Sequence, residues 1–92
     1  MFKKVILIVD DETLNLSILM NLLKTTYSVR ACKSGEEAMN SISDGLRPDL
    51  ILLDIIMPGI DGFQVLKQLQ ANIETRTIPV MFISSLDSFV NE

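Results

Sequence analysis

Three uninterrupted apolar runs, Val5–Val9, residues 50–53 and Val80–Ile83, mark the chain, and each gives way to polar side chains: Asp10 and Asp11, then Asp54, then Ser84 and Ser85. Four or five apolar residues without alternation predict strands buried on both faces, as in a parallel sheet covered by helices. Residues 27–32 alternate instead, with Arg30 between Val29 and Ala31, which predicts a strand covered less completely and placed at a sheet edge. Between the strands the period changes. Over residues 12–25, Leu14, Ile18 and Leu22, together with Leu19 and Leu23, recur at helical spacing as the apolar stripe of a first helix. Ser34 and Glu37 have the form of a capping box that opens a second helix carrying Ala38, Met39 and Ile42 and stopping near Gly45.

Pro58 and Gly59 break the chain after Asp54, and Asp61 with Gln64 forms a further capping box. The helix it opens is expected to carry Phe63, Leu66 and Leu69 inward. Strand and helix alternate from the first strand to the fourth, which implies right-handed crossovers and an α/β fold, a doubly wound parallel sheet with helices on both faces.

The carboxyl ends of the strands are where open α/β sheets bind ligands. Asp54, directly after its apolar run, is expected at that edge and not in the core. Asp10, Asp11, Asp54 and Ser84 all arrive there. Acids at strand ends also serve as caps for the next helix, a sufficient account of Asp10 and Asp11 alone. Asp54 at an equivalent strand end turns the balance. Carboxylates so placed repel one another; at least one would have a raised pKa, unless a hard, oxygen-preferring divalent cation such as Mg²⁺ neutralised them and kept waters for incoming phosphate oxygens. The pattern is that of a metal-assisted phosphoryl site.

Composition narrows the class. With 92 residues, 48% of them hydrophobic and 22% charged, the chain suits one globular domain. A net charge of −4 without a cluster of Lys and Arg argues against nucleic acid as the direct partner. The single cysteine, Cys32, excludes an intrachain disulfide, fits a reducing cytoplasm and reads as a small buried hydrophobe. No histidine is present, which removes His-based acid chemistry. Val5–Val9 is too short to span a membrane, so a soluble, cytoplasmic protein is expected.

VDDE at residues 9–12, LLDIIMPGIDG at 52–62 and IPVMFISS at 78–85 resemble the receiver domain of two-component response regulators, over essentially the whole chain. The resemblance implies a flavodoxin-like receiver fold with strand order 2-1-3-4-5, in which the aspartate ending the third strand takes a phosphoryl group from a phosphohistidine on a sensor histidine kinase or phosphotransfer protein. That residue matches Asp54. It further implies Asp11 as a direct Mg²⁺ ligand, Asp10 as a water-mediated one, the Ile56 backbone carbonyl as a protein ligand besides Asp54, and Ser84 as the hydroxyl that meets a phosphoryl oxygen. The family continues with a fifth strand bearing a Lys-Pro pair and a last helix, whereas this sequence ends at Glu92 with Arg76 as its last cation. The expectation is a receiver over residues 1–92, incomplete at its C-terminus, catalysing only its own phosphorylation and dephosphorylation. Its fourth strand would be left as an edge through which copies could associate.

Two rival readings remain. A receiver-shaped interaction module that no longer takes phosphate would follow from the missing lysine. A haloacid-dehalogenase-like phosphatase would use Asp10 as nucleophile and Ser84 in its second motif. Glu12 and Leu14 stand where that family has aspartate and threonine, and it leaves residues 52–62 unexplained.

Overall fold

Each apolar run forms a strand. In a computed structural model, which describes residues 3–83, the elements are β1 (Val5–Val9), α1 (Thr13–Leu23), β2 (Ser28–Cys32), α2 (Gly35–Ser43), β3 (Leu50–Asp54), α3 (Gly62–Ala71) and β4 (Val80–Ile83). The strands form one four-stranded sheet in the order β2-β1-β3-β4, and every neighbouring pair is parallel. The alternating strand β2 is at one edge, as its pattern predicts. Ser84 and Ser85 lie outside the described residues.

Because both faces are covered, successive residues of the inner strands enter two different cores. Leu7, Val9, Ile51 and Leu53 pack with Ala38 and Ile42 of α2 and Val65 and Leu69 of α3. Ile6, Ile8 and Leu52 pack with Leu16 of α1 on the other side. Cys32 and Met57 are buried in the first of these clusters, as ordinary packing residues.

Two expected faces turn out differently. Leu19 and Leu23 turn inward as expected, but Leu14, Ile18 and Leu22 are exposed, and Leu16 and Met20 complete the docking face of α1. The helix has apolar residues on more than one stripe, and the stripe that meets β1 and β2 is the one turned inward. Phe63 is 57% exposed, its ring 5.2 Å from that of Phe82, while Val65 and Leu69 supply the buried contacts of α3.

Local chemistry fixes the helix ends. The Asp61–Gln64 box closes in both directions, at 2.9 Å from the Gln64 amide to Asp61 Oδ1 and 2.8 Å from the Asp61 amide to Gln64 Oε1. At Ser34 only the forward half forms, the Glu37 amide donating to the hydroxyl at 3.0 Å. Arg47 donates to the Ile42 and Leu46 carbonyls and pairs with Glu74, so a cation sits at the end of α2. The buried Thr75 hydroxyl donates to Leu69 O at 2.7 Å and finishes α3.

The docking face of α1 can be checked directly. Leu16, 5% exposed, and Leu14, 68% exposed, lie two residues apart on one helix. Urea unfolding of Leu16→Ala should show a loss of about 2–4 kcal/mol. Leu14→Ala should stay within about 0.5 kcal/mol of the parent. Equal losses would place the buried stripe elsewhere.

Candidate functional site

The register of the inner strands builds the site. Val9 pairs with Leu53 between β1 and β3, so Asp10 continues beside Asp54, and Ile83 of β4 pairs with Asp54 from the other side. Flanked in this way, Asp54 is only 1% exposed. It is at the carboxyl end of its strand, as expected, but inside the protein and not at a solvent edge. The chain after it returns closely: the Gly62 amide donates to Ile55 O at 2.8 Å, and a Cβ on Gly62 would strike the Asp54 carbonyl oxygen. Gly62 is therefore required by backbone contact and not only by the shape of the turn.

Asp10 is equally buried but fully engaged. Its Oδ1 accepts the Glu12 amide at 2.9 Å and its Oδ2 accepts Asn15 Nδ2 at 3.2 Å. The first bond is the turn-forming contact of an aspartate to the amide two residues on. Asp11 is exposed. One carboxylate oxygen from each of Asp10, Asp11 and Asp54 lies within 4.8 Å of the others. Asp54 Oδ2 is buried and has no hydrogen-bond partner. Burial, reinforced by the charge of Asp10, pushes the Asp54 carboxyl up to about 6, against the lowering effect of a backbone hydrogen bond from Ile56.

A convergent, all-oxygen donor set with one orphaned buried oxygen fits a hard divalent cation. The structure thus brings together Asp10, Asp11 and Asp54. The Ile56 backbone amide adjoins Asp54. Asn15 escaped the sequence reading, because its role depends on one turn of α1 bringing an amide side chain back to Asp10. A cleft of about 510 Å³ between the ends of α2 and α3 is lined by Asn40, Arg47, Gln68 and Glu74 among others, and none of the three acids reaches it.

The model of the response regulator receiver domain matches residues 6–91. The chain belongs to the response regulator receiver family. Among its relatives is the response regulator PleD of Caulobacter vibrioides, 42% identical over 83 residues, which cover 89% of this chain and 18% of PleD. The receiver thus spans less than a fifth of that protein's length. A receiver domain of a signal transduction histidine kinase from Syntrophus aciditrophicus superposes with a TM-score of 0.80 at 34% identity, over 95% of this chain and 68% of the other. Response regulator Rcp1, solved in an Mn²⁺-bound form, superposes with a TM-score of 0.78 at 29% identity, over 95% of this chain and 71% of Rcp1. The four strands reproduce the family's order up to the fourth. This membership favours the receiver reading over the phosphatase. Among the described residues of the receiver, no helix is long and apolar enough to cross a membrane.

The raised Asp54 pKa sets a pH dependence. The folded state, with Asp54 near 6, binds the proton more tightly than the unfolded chain with its carboxyl near 3.8. Stability from this group is complete below about pH 4 and is lost as pH rises through 6, by up to roughly 3 kcal/mol. Without metal, Asp54→Asn should therefore be more stable than the parent at pH 7.5 and nearly equal to it at pH 4. Chemical denaturation at the two pH values tests this; an equal difference at both would contradict it.

Proposed function

We propose that this receiver takes a phosphoryl group on Asp54 from a phosphohistidine of a sensor histidine kinase or a phosphotransfer protein. The single observation that carries the proposal is the buried, unpartnered Asp54 Oδ2 beside Asp10 and Asp11. An Asp54 oxygen attacks phosphorus; the new O–P bond forms as the P–N bond breaks, and the imidazole nitrogen keeps the electron pair. Such a transfer needs in-line placement and cancellation of charge on the equatorial oxygens.

Asp10, Asp11, Asp54 and the Ile56 carbonyl would hold Mg²⁺, which supplies that cancellation. The Mn²⁺-bound form of the relative Rcp1 supports a divalent ion here. Asp10 is held in place by the Glu12 amide and Asn15, and Asp11 is free to meet the ion from the solvent side. Ser84 belongs to the proposal as the hydroxyl that meets a phosphoryl oxygen. The reading makes the domain a cytoplasmic switch that catalyses only its own phosphorylation and dephosphorylation. Self-association of the 92-residue chain through the β4 edge, where Met81 is exposed, is part of the same proposal, and sedimentation at rising micromolar concentration should show it.

Incubation with Mg²⁺ and acetyl phosphate, followed by mapping of any phosphoaspartate, tests the central claim. Label is expected on Asp54 and should vanish in Asp54→Asn. Persistent label in that variant would refute the assignment, and a parent that takes none would favour the module without phosphate chemistry. Calorimetry should show Mg²⁺ binding weakened about tenfold or more in Asp11→Asn, since a carboxylate ligand to a hard cation is lost. Unchanged affinity would remove Asp11 from the ligand set.

A further inference from the structure

We infer that Glu36, at the start of α2, is a positioning residue for the phosphoryl site and acts through the loop between β3 and α3. The inference rests on the receiver reading of Asp54. Residues 55–61 leave the acceptor strand, and this loop contains Ile56, whose backbone adjoins the Asp54 carboxylate. The loop is tied at its base by the Gly62 amide on Ile55 O and at its exit by the Asp61–Gln64 box. Its outer turn has a different anchor. The Ile60 amide donates to Glu36 Oε2 at 3.2 Å, across 24 residues of sequence.

The shapes of the two segments interlock around this bond. Gly59 has φ of 78°, and a Cβ there would lie 2.6 Å from Glu36 Oε2, so the carboxylate rests against bare backbone. In return, a Cβ on Gly35 would lie 2.5 Å from Ile60 Cγ1 and 2.8 Å from Val65 Cγ2. Each segment thus has a glycine where the other inserts a side chain. Ile60 seats on Gly35, and Glu36 seats on Gly59. A methyl group at Gly35 would collide with Ile60 and Val65, and one at Gly59 would displace the Glu36 carboxylate and be strained by the positive φ.

Glu36 is exposed, and a single hydrogen bond of an exposed carboxylate adds little to global stability. Its effect on the site is larger for a geometric reason. Between the buried Met57 and the α3 cap, Ile60 packs on Gly35 and Glu36 supplies the hydrogen bond from α2 to the turn's backbone, and freedom there is passed back over a few bonds to Ile56. Displacements of about 1 Å at a phosphoryl site cost large factors in rate.

The test uses the 92-residue chain, with Mg²⁺ affinity by calorimetry, acetyl phosphate labelling and thermal unfolding measured on each variant. Glu36→Ala should weaken Mg²⁺ binding about threefold and slow labelling about tenfold. Glu36→Gln keeps an acceptor oxygen and should recover most of both. Glu37→Ala, which removes the same charge from the same helix turn at a residue that accepts no loop amide, should match Glu36→Ala in thermal stability but not in binding or labelling. Equal behaviour of Glu36→Ala and Glu37→Ala in both functional readouts would overturn the inference, as would Glu36→Gln as impaired as Glu36→Ala. If the parent itself neither binds Mg²⁺ nor takes label on Asp54, the receiver chemistry fails and the role of Glu36 with it. A labelled parent with an unaffected Glu36→Ala removes Glu36 alone.

Discussion

A carboxylate with one buried oxygen left unpartnered, at the end of an inner strand, is the constraint on which the rest of this structure depends. Burying an ionised group is expensive unless it is paired, and a domain has only about 5–15 kcal/mol of net stability to set against such costs. The two neighbouring acids show what pairing accomplishes. Asp10 is as buried as Asp54, yet both of its oxygens accept hydrogen bonds, from Glu12 and Asn15. Asp54 Oδ2 has none, and its proton affinity rises accordingly. The fold can tolerate this because the residues before it, Ile51, Leu52 and Leu53, fill cores on both faces of the sheet. The apolar run and the desolvated acid at its end are one arrangement.

How much of this could be seen in the sequence varies with the range of the interaction that decides it. The inner strands are legible because a strand buried on both faces needs consecutive apolar residues, as in Val5–Val9 and residues 50–53; Val80–Ile83 has the same pattern and forms a strand, but an edge one, with Met81 exposed and none of its residues fully buried. The caps at Ser34 and Asp61 were legible because donor and acceptor are three residues apart. Sheet order was not read from local pattern; it followed from resemblance, and the register in the structure bears it out.

What was misread depends on contacts that no local pattern contains. Apolar residues occupy seven of the eleven positions of α1, so more than one stripe is long enough to dock, and the location of β1 and β2 selects the one with Leu16. Phe63 follows a helix cap and is apolar, but Val65 is the residue that faces Gly35 and the core. A polar residue ending an apolar run usually leaves the core, and for that reason the pattern predicts Asp54 at an edge. Its burial comes from Asp10 on one flank, Ile83 on the other and a loop that turns back at Gly62. None of these is a neighbour in sequence.

The close return of the chain at Gly62 also explains why the site can be both strained and well placed. Gly62 is the first residue of α3, its amide is bonded to Ile55, and its lack of a side chain lets the start of the helix touch the Asp54 backbone. The acid is thereby fixed from the strand side by the sheet and from the loop side by a helix whose own cap is complete. With its backbone held and its side chain buried, the carboxyl has little contact with water. Its remaining routes are to take up a proton, which its raised pKa records, or to meet positive charge brought to it. Asp11, exposed and within 4.8 Å of the other two acids, would on the proposed reading give an arriving cation a ligand on the solvent side. On the proposed reading, rigid placement of Asp54 and an adaptable third acid would be complementary, because preorganisation limits the reorganisation required when charge develops at an acceptor.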